Sequence, residues 1–335
     1  MKKILGGFII LNLIFLFSAF SFNFSSRQEI IKKFLDEWEI KISIQTGYLD
    51  GETHYKIQVD AGSLTGKSKL EFPLGNWLYG GEFSIGRKPL FLSFAIYDEI
   101  WQKAHKDMED KDWLDDWMFS YTKSDAEVKI DIWDASLKYR IWEGENFWKD
   151  WGGKNKKGKI DLVGGYRYER FKYRILGIRD VLYGGSSYEG EEVLDYKVEY
   201  YLPYFGVEGS YTTPVNNPKI KFLKNWGLGM ELAFSPYAKA KDRDDHVLRN
   251  KLSHGDCKGW AARVALELLL EMTKNWNFNL GIDYLNVTTD GKQSQYFYDD
   301  DPGTSENEKG LRYDDIDLDI KEYHVFYWIA LTYKF

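Results

Sequence analysis

From Trp38 onward the chain alternates. Trp38, Ile40, Ile42, Ile44 and Tyr48 fall on one parity and Glu39, Lys41, Ser43 and Gln45 on the other, the period of two that marks a strand with one apolar and one polar face. The end of the sequence repeats the pattern. Tyr323, Val325, Tyr327, Ile329, Leu331, Tyr333 and Phe335 are all apolar or aromatic, and Glu322, His324, Thr332 and Lys334 sit between them. Similar runs lie near 70–85, 90–100, 128–141, 160–173, 193–204, 228–234, 262–272 and 276–284. Two of them change phase, near Trp133 and near Glu169, which predicts β-bulges or mixed surroundings at a barrel rim. The stretch 261–272 is rich in Ala, Leu and Glu and leans toward helix. It is read as strand because 273–275 is only a turn, leading straight into the alternating Trp276, Phe278, Leu280, Ile282 and Tyr284.

The gaps between runs also alternate. Those at 87–89 and 273–275 are tight, whereas 107–126, 180–192, 242–256 and 293–317 are long and charged. Short periplasmic turns and long external loops are the habit of outer-membrane barrels, whose residues face lipid and a polar lumen by turns. Such a chain combines a 17% aromatic fraction with a negative mean hydropathy, as this one does. The expected fold is therefore an all-β, transmembrane, antiparallel up-and-down barrel of about ten strands, with 144–157 and 212–225 as inner turns and both termini in the periplasm. Lys2 and Lys3, the apolar run from Ile4 to Phe17 and the small residues Ala19 and Ser21 predict a cleaved signal peptide over 1–21. Ser26 and Glu29 form a capping-box pattern ahead of Ile30, Ile31, Phe34, Leu35 and Trp38, which predicts a short helix. The division is then a signal peptide (1–21), a short periplasmic segment (22–36) and the barrel (37–335).

The net charge of −7 and the lack of a basic cluster argue against nucleic acid as a partner. Lone Cys257 excludes a disulfide framework and a cysteine-rich zinc site. Chemistry points to two of the long loops, which four intervening strands place opposite each other across the external mouth. One carries Glu109-Asp110-Lys111-Asp112-Trp113, the other Asp242-Arg243-Asp244-Asp245-His246. Residues two apart share a face in an extended segment, so Asp110 pairs with Asp112 and Asp244 with His246. An Asp beside a His makes a general base, and two close carboxylates share a proton or hold a water. Solvated loop residues are the plainer reading of spacing alone. The same holds for His54, His105 and His254, and for the acidic runs Asp299–Asp301 and Asp314–Asp319, where weak cation binding is the minority reading.

Here the sequence resembles the omptins, outer-membrane aspartyl endopeptidases of Gram-negative bacteria with a ten-stranded barrel. Met108-Glu109-Asp110-Lys111-Asp112-Trp113-Leu114-Asp115 is similar to the omptin segment bearing its Asp pair, and Asp242-Arg243-Asp244-Asp245-His246 to the stretch bearing the Asp-His dyad. Gly165-Tyr166 with Arg170, Tyr196-Lys197, Pro203-Tyr204, Gly209-Ser210-Tyr211 and the terminal Leu331-Thr332-Tyr333-Lys334-Phe335 carry the likeness along the rest of the chain. The resemblance implies that Asp244 and His246 activate the attacking water while Asp110 and Asp112 bind it and stabilise the oxyanion, with no metal. It also implies a preference for basic residues, held by acidic groups at the floor of the groove. Asp242 matches one of these groups, but Tyr55 stands where an omptin has Glu, with Glu52 nearby and out of register. A looser basic preference follows, with neutral or aromatic residues stacking on Tyr55. Lipopolysaccharide binding on the outer wall is implied at Arg170, whereas Glu199 replaces another Arg. The resemblance thus implies a monomeric enzyme in the outer membrane that acts on peptides or proteins at the cell surface, with no cofactor beyond lipopolysaccharide. The alternative is a barrel without enzymatic activity, an adhesin or narrow channel.

Overall fold

A computed structural model describes residues 37–61, 64–100, 102–145, 157–215, 222–302 and 307–335. The expected signal peptide, nearly all of the helix expected from Ser26, and most of the two inner turns lie outside them. Every alternating run is a strand: β1 (Glu39–Ala61), β2 (Leu64–Arg87), β3 (Leu90–Glu99), β4 (Met108–Leu114), β5 (Trp117–Glu145), β6 (Lys157–Asp180), β7 (Ser186–Pro214), β8 (Asn225–His246), β9 (Lys251–Glu271), β10 (Trp276–Phe297) and β11 (Arg312–Lys334). Each strand after β5 pairs antiparallel with its chain neighbour, and β1 pairs with both β11 and β2, so the sheet closes on itself. β3 and β4 share one position. Both lie between β2 and β5, with β3 on the lower part of each neighbour and β4 on the upper, so the ring has ten positions.

The strands are much longer than a bilayer needs. β5 and β7 run for 29 residues each, against about 9–11 for a tilted membrane strand. The excess stands outside, and the expected long loops prove to be mostly strand. β4 lies within 107–126, β8 runs through to His246, and β9 starts at Lys251. Hairpins cap these extensions, with Asp115 and Asn250 in the left-handed conformation that Asp and Asn tolerate best after Gly.

The phase changes have a chemical cause rather than a geometric one. Pairing between β5 and β6 is regular through Trp133 and Glu169, with no bulge at either. On β5, Val128, Ile130 and Ile132 point inward and are buried, while Glu127, Lys129 and Asp131 point out. Further down the same strand Asp134 and Ser136 point inward, while Trp133, Leu137, Tyr139 and Ile141 are exposed on the outside. β6 makes the same exchange between Leu162 and Tyr166 outside and Phe171, Tyr173 and Ile175 inside. The apolar outer band is the lipid contact. Above it the barrel becomes an ordinary water-facing protein whose interior is filled by Phe72, Tyr173, Tyr196, Val198, Leu318 and Ile320, among others.

Candidate active site

The site stands on the water-facing extension. On β4, Asp110 lies opposite inward-facing Leu70, so Asp110 and Asp112 share the interior face. Glu109 and Lys111 take the outer face, where Lys111 reaches Glu71 and Glu109 at 2.7 Å each and Lys123 reaches Glu109 at 2.9 Å. The same alternation on β8 sends Asp242, Asp244 and His246 inward and leaves Arg243 to pair with Asp245 at 2.8 Å on the outside. Both acidic clusters therefore divide into an inward-facing half and an outward-facing half. A single turn of 3-10 helix, Val247–Arg249, closes the β8–β9 hairpin directly after His246 and is ended by left-handed Asn250.

His246 Nε2 lies 3.0 Å from Asp244 Oδ2. Asp244 is buried, and its other oxygen has no partner among the described residues. The two pairs meet electrostatically across the mouth. Burial, then the charges of Asp112 and Asp244, push the Asp110 carboxyl up to about 8, against the opposite pull of Lys251 and Arg249. Asp110 is thus held toward its neutral form near neutral pH, because a carboxyl placed beside other carboxylates ionises only at a cost.

Lys251, which sequence reasoning missed, enters the same space. It pairs with His246 across the hairpin, and burial pulls its ammonium below the usual range while Asp244, Asp110 and Asp112 favour its charge. Ser253, fully buried and opposite Asp244, was missed as well. The signal for both was parity: once the turn is known to be 247–250, Lys251 and Ser253 must face inward with His246 and Asp244.

Asp242 lies deeper, 5% exposed, with both carboxylate oxygens lacking a side-chain partner. Burial and then Asp244 raise its carboxyl well above the usual range, and the Gly255 N–H works the other way. Gly255 is there for space. A Cβ at that position would sit 2.1 Å from Asp242 Oδ1 and 2.3 Å from Leu318. Tyr55 departs from the expected stacking surface. It is 2% exposed, its ring packs edge-on against Tyr196 and its hydroxyl donates to Gln293, so its face is closed to a substrate. Glu52 points to the outer wall, where it accepts the Tyr323 hydroxyl at 3.0 Å and meets His54 at 3.0 Å, and so cannot serve the floor. Arg170 is on the outer wall and is held by Asp131 at 2.6 Å, while Glu199 accepts the Tyr168 hydroxyl at 2.9 Å.

The Omptin family model matches residues 37–321. The chain belongs to the Omptin family. Among solved structures this omptin is similar to the outer membrane protease OmpT of Escherichia coli, with a TM-score of 0.70 at 17% identity over 89% of this chain and 97% of that one. At that identity the likeness establishes the ten-position barrel. Two further outer-membrane barrels, OprG of Pseudomonas aeruginosa and the translocator domain of NalP from Neisseria meningitidis, each reach a TM-score of 0.33 at 11% identity; OprG covers 89% of this chain and 95% of its own, NalP 90% and 93%. A search of curated protein sequences finds no match. The omptin is an outer-membrane protein, and its family places it among outer-membrane proteases.

Proposed function

We infer that this omptin is a cell-surface endopeptidase in which His246, oriented by Asp244, removes a proton from water as that water attacks a peptide carbonyl. The observation that carries the reading is the meeting of the two pairs, with Asp110 under the joint influence of Asp112 and Asp244. With Nε2–H donated to Asp244, the Nδ1 of His246 is left to accept the proton. The proton held by Asp110 gives the opposite side of the mouth a donor for the developing oxyanion. The proton gained by His246 then passes to the leaving amine.

Asp242 sets the substrate preference. Burial and the neighbouring Asp244 favour its neutral form, and a substrate guanidinium or ammonium that enters would favour the ionised form and a charge-assisted hydrogen bond. With Tyr55 closed and Glu52 outside, neither supplies the second acidic group that the resemblance implies at the floor, which supports a weaker basic preference. Arg170 is the lipid contact of this reading, and a lipopolysaccharide phosphate would compete with Asp131 for it.

The test is cleavage of a fluorogenic peptide with a basic residue at the scissile bond, by purified protein in lipopolysaccharide. His246→Ala and Asp110→Asn should each lower turnover by about 10²-fold or more, with heat-modifiable gel mobility showing an intact barrel. Variants that cleave like the parent would remove these residues from the site. A parent that cleaves nothing under these conditions would favour the non-enzymatic barrel.

A further inference from the structure

Lys251 stands between the two pairs of the mouth and is tied to neither. It opens β9 directly opposite His246, and the next inward residue, Ser253, lies opposite Asp244. Directly opposed residues on one face of an antiparallel pair bring their Cβ atoms to about 4.5–5.5 Å, so the lysine stem runs beside the imidazole on the interior face. Lys251 is 7% exposed. Burying an ammonium is costly unless it is paired, yet among the described residues this one makes no hydrogen bond and no ion pair.

The charges around it are arranged on both sides. Asp244 on β8 and Asp110 and Asp112 on β4 favour the ammonium, and Arg249 in the turn opposes it. Asp244 commits one oxygen to His246 at 3.0 Å, while its other oxygen and Oδ1 of Asp110 have no partner. Arg249 is drawn aside by Asp301, which accepts from it at 2.9 Å. Of the two cations on this hairpin, Lys251 is therefore the one left to the space between Asp110 and Asp244. That space is where the peptidase reading puts the attacked carbonyl.

We propose that Lys251 is a further catalytic residue of this omptin, its ammonium donating a hydrogen bond to the oxygen of the attacked carbonyl; the proposal rests on the peptidase reading. As water adds to the carbonyl carbon, the new C–O bond displaces the π pair onto the carbonyl oxygen, and His246 takes the proton that the water loses. The oxygen then carries a full negative charge. The Asp110 proton meets it from β4 and the Lys251 ammonium from β9. When the C–N bond breaks, the oxygen pair re-forms the carbonyl, and the nitrogen leaves with the C–N pair and the proton from His246. A substrate carboxylate is the poorer partner for this lysine, because it brings permanent negative charge among Asp110, Asp112 and Asp244. A carbonyl becomes anionic only on the way to the transition state, so the ammonium contributes to turnover more than to binding.

The test compares the parent with Lys251→Met and Lys251→Arg, as purified protein in lipopolysaccharide, in cleavage of the fluorogenic peptide. Inhibition is measured with the phosphinic analogue of that peptide, whose tetrahedral phosphorus group carries a fixed negative charge. Lys251→Met keeps the length and the apolar stem, and should lower kcat by about 10²–10³-fold with KM nearly unchanged. The phosphinate should weaken by a similar factor, and Lys251→Arg, which keeps the charge, should recover part of both losses. A merely structural lysine would leave the ratio of analogue affinity to substrate affinity unchanged. Gel mobility establishes that each variant is folded; if Lys251→Met fails to fold, Lys251→Gln carries the comparison. With an active parent, an equal kcat in Lys251→Met, a loss confined to KM, or a phosphinate bound equally by both would each overturn the role of Lys251 and leave His246 and Asp110 in theirs. A parent that neither cleaves the peptide nor binds the phosphinate would remove the peptidase reading and this proposal with it.

Discussion

Along β5, Lys129 points out of the barrel and Ile130 into it, whereas a few residues below Leu137 points out and Lys138 in. The backbone alternation is the same in both zones and the media are exchanged. In the membrane zone the outer wall meets lipid and the lumen is polar, held by ion pairs such as Lys138–Glu208 at 2.5 Å. In the external zone the outer wall meets water and the interior is packed with apolar and aromatic side chains, Phe72 stacked on Tyr196 with ring centroids 4.1 Å apart. A strand's parity therefore fixes which residues share a face but not which medium that face meets. The difference also bears on where the proposed chemistry sits. A packed interior holds Asp110, Asp244 and His246 on strands rather than on mobile loops, and the low dielectric around them makes the carboxylates sensitive to one another.

Substitutions separate the two zones most sharply through burial. Phe72→Ala should cost about 3–5 kcal/mol, the usual loss for a buried phenylalanine, read as a shift in urea unfolding from lipid vesicles. Next in size, Leu137→Arg on the lipid face should cost about 2–4 kcal/mol, whereas Lys129→Leu, on the same face of the same strand but above the bilayer, should stay within about 0.5 kcal/mol. Equal costs at 129 and 137 would erase the boundary between the zones.

These contrasts also show what was readable in the sequence. The strands were legible because alternation is local, and Ala261–Met272 was assigned correctly against its helical composition because the turn after it left no room for anything else. The exchange of media was visible only as a change of phase, which a bulge explains equally well; the regular pairing of Trp133 with Tyr168 is tertiary information. The acidic clusters were read as loops because charge on both parities looks like solvent on both faces. In fact one parity of each faces the interior, where burial of Asp242 and Asp244 is set by strands distant in sequence. Lys251 and Ser253 were hidden for the same reason, since their partners lie across a hairpin whose length the sequence did not fix.

A third test concerns charge in the packed zone. Asp110 rises from 3.8 to about 8 on folding, so the folded state binds the extra proton between those values. Its stabilising protonation is complete below the lower value and lost as pH rises through the upper one. The urea midpoint should therefore fall across that window, and Asp110→Asn should flatten the part due to this group. An identical pH dependence in parent and variant would mean that Asp110 is solvated. The smallest effect lies on the outer wall just above the lipid. Glu199→Arg replaces a carboxylate that would repel a lipid phosphate, and should strengthen activation by lipopolysaccharide a few-fold over the parent in peptide cleavage; an unchanged lipid requirement would take that wall out of lipid recognition.

The exchange of media is tested most directly by placing a nitroxide on a cysteine at position 129 or at position 137 in turn, in vesicles, with buried Cys257 replaced by alanine. The two outward positions lie on one face of one strand. Collision with a water-soluble nickel complex should dominate at 129, and collision with lipid-dissolved oxygen at 137. Lipid-like accessibility at both positions, or water-like accessibility at both, would contradict the division of this barrel into a membrane zone and a water-facing zone that carries the site.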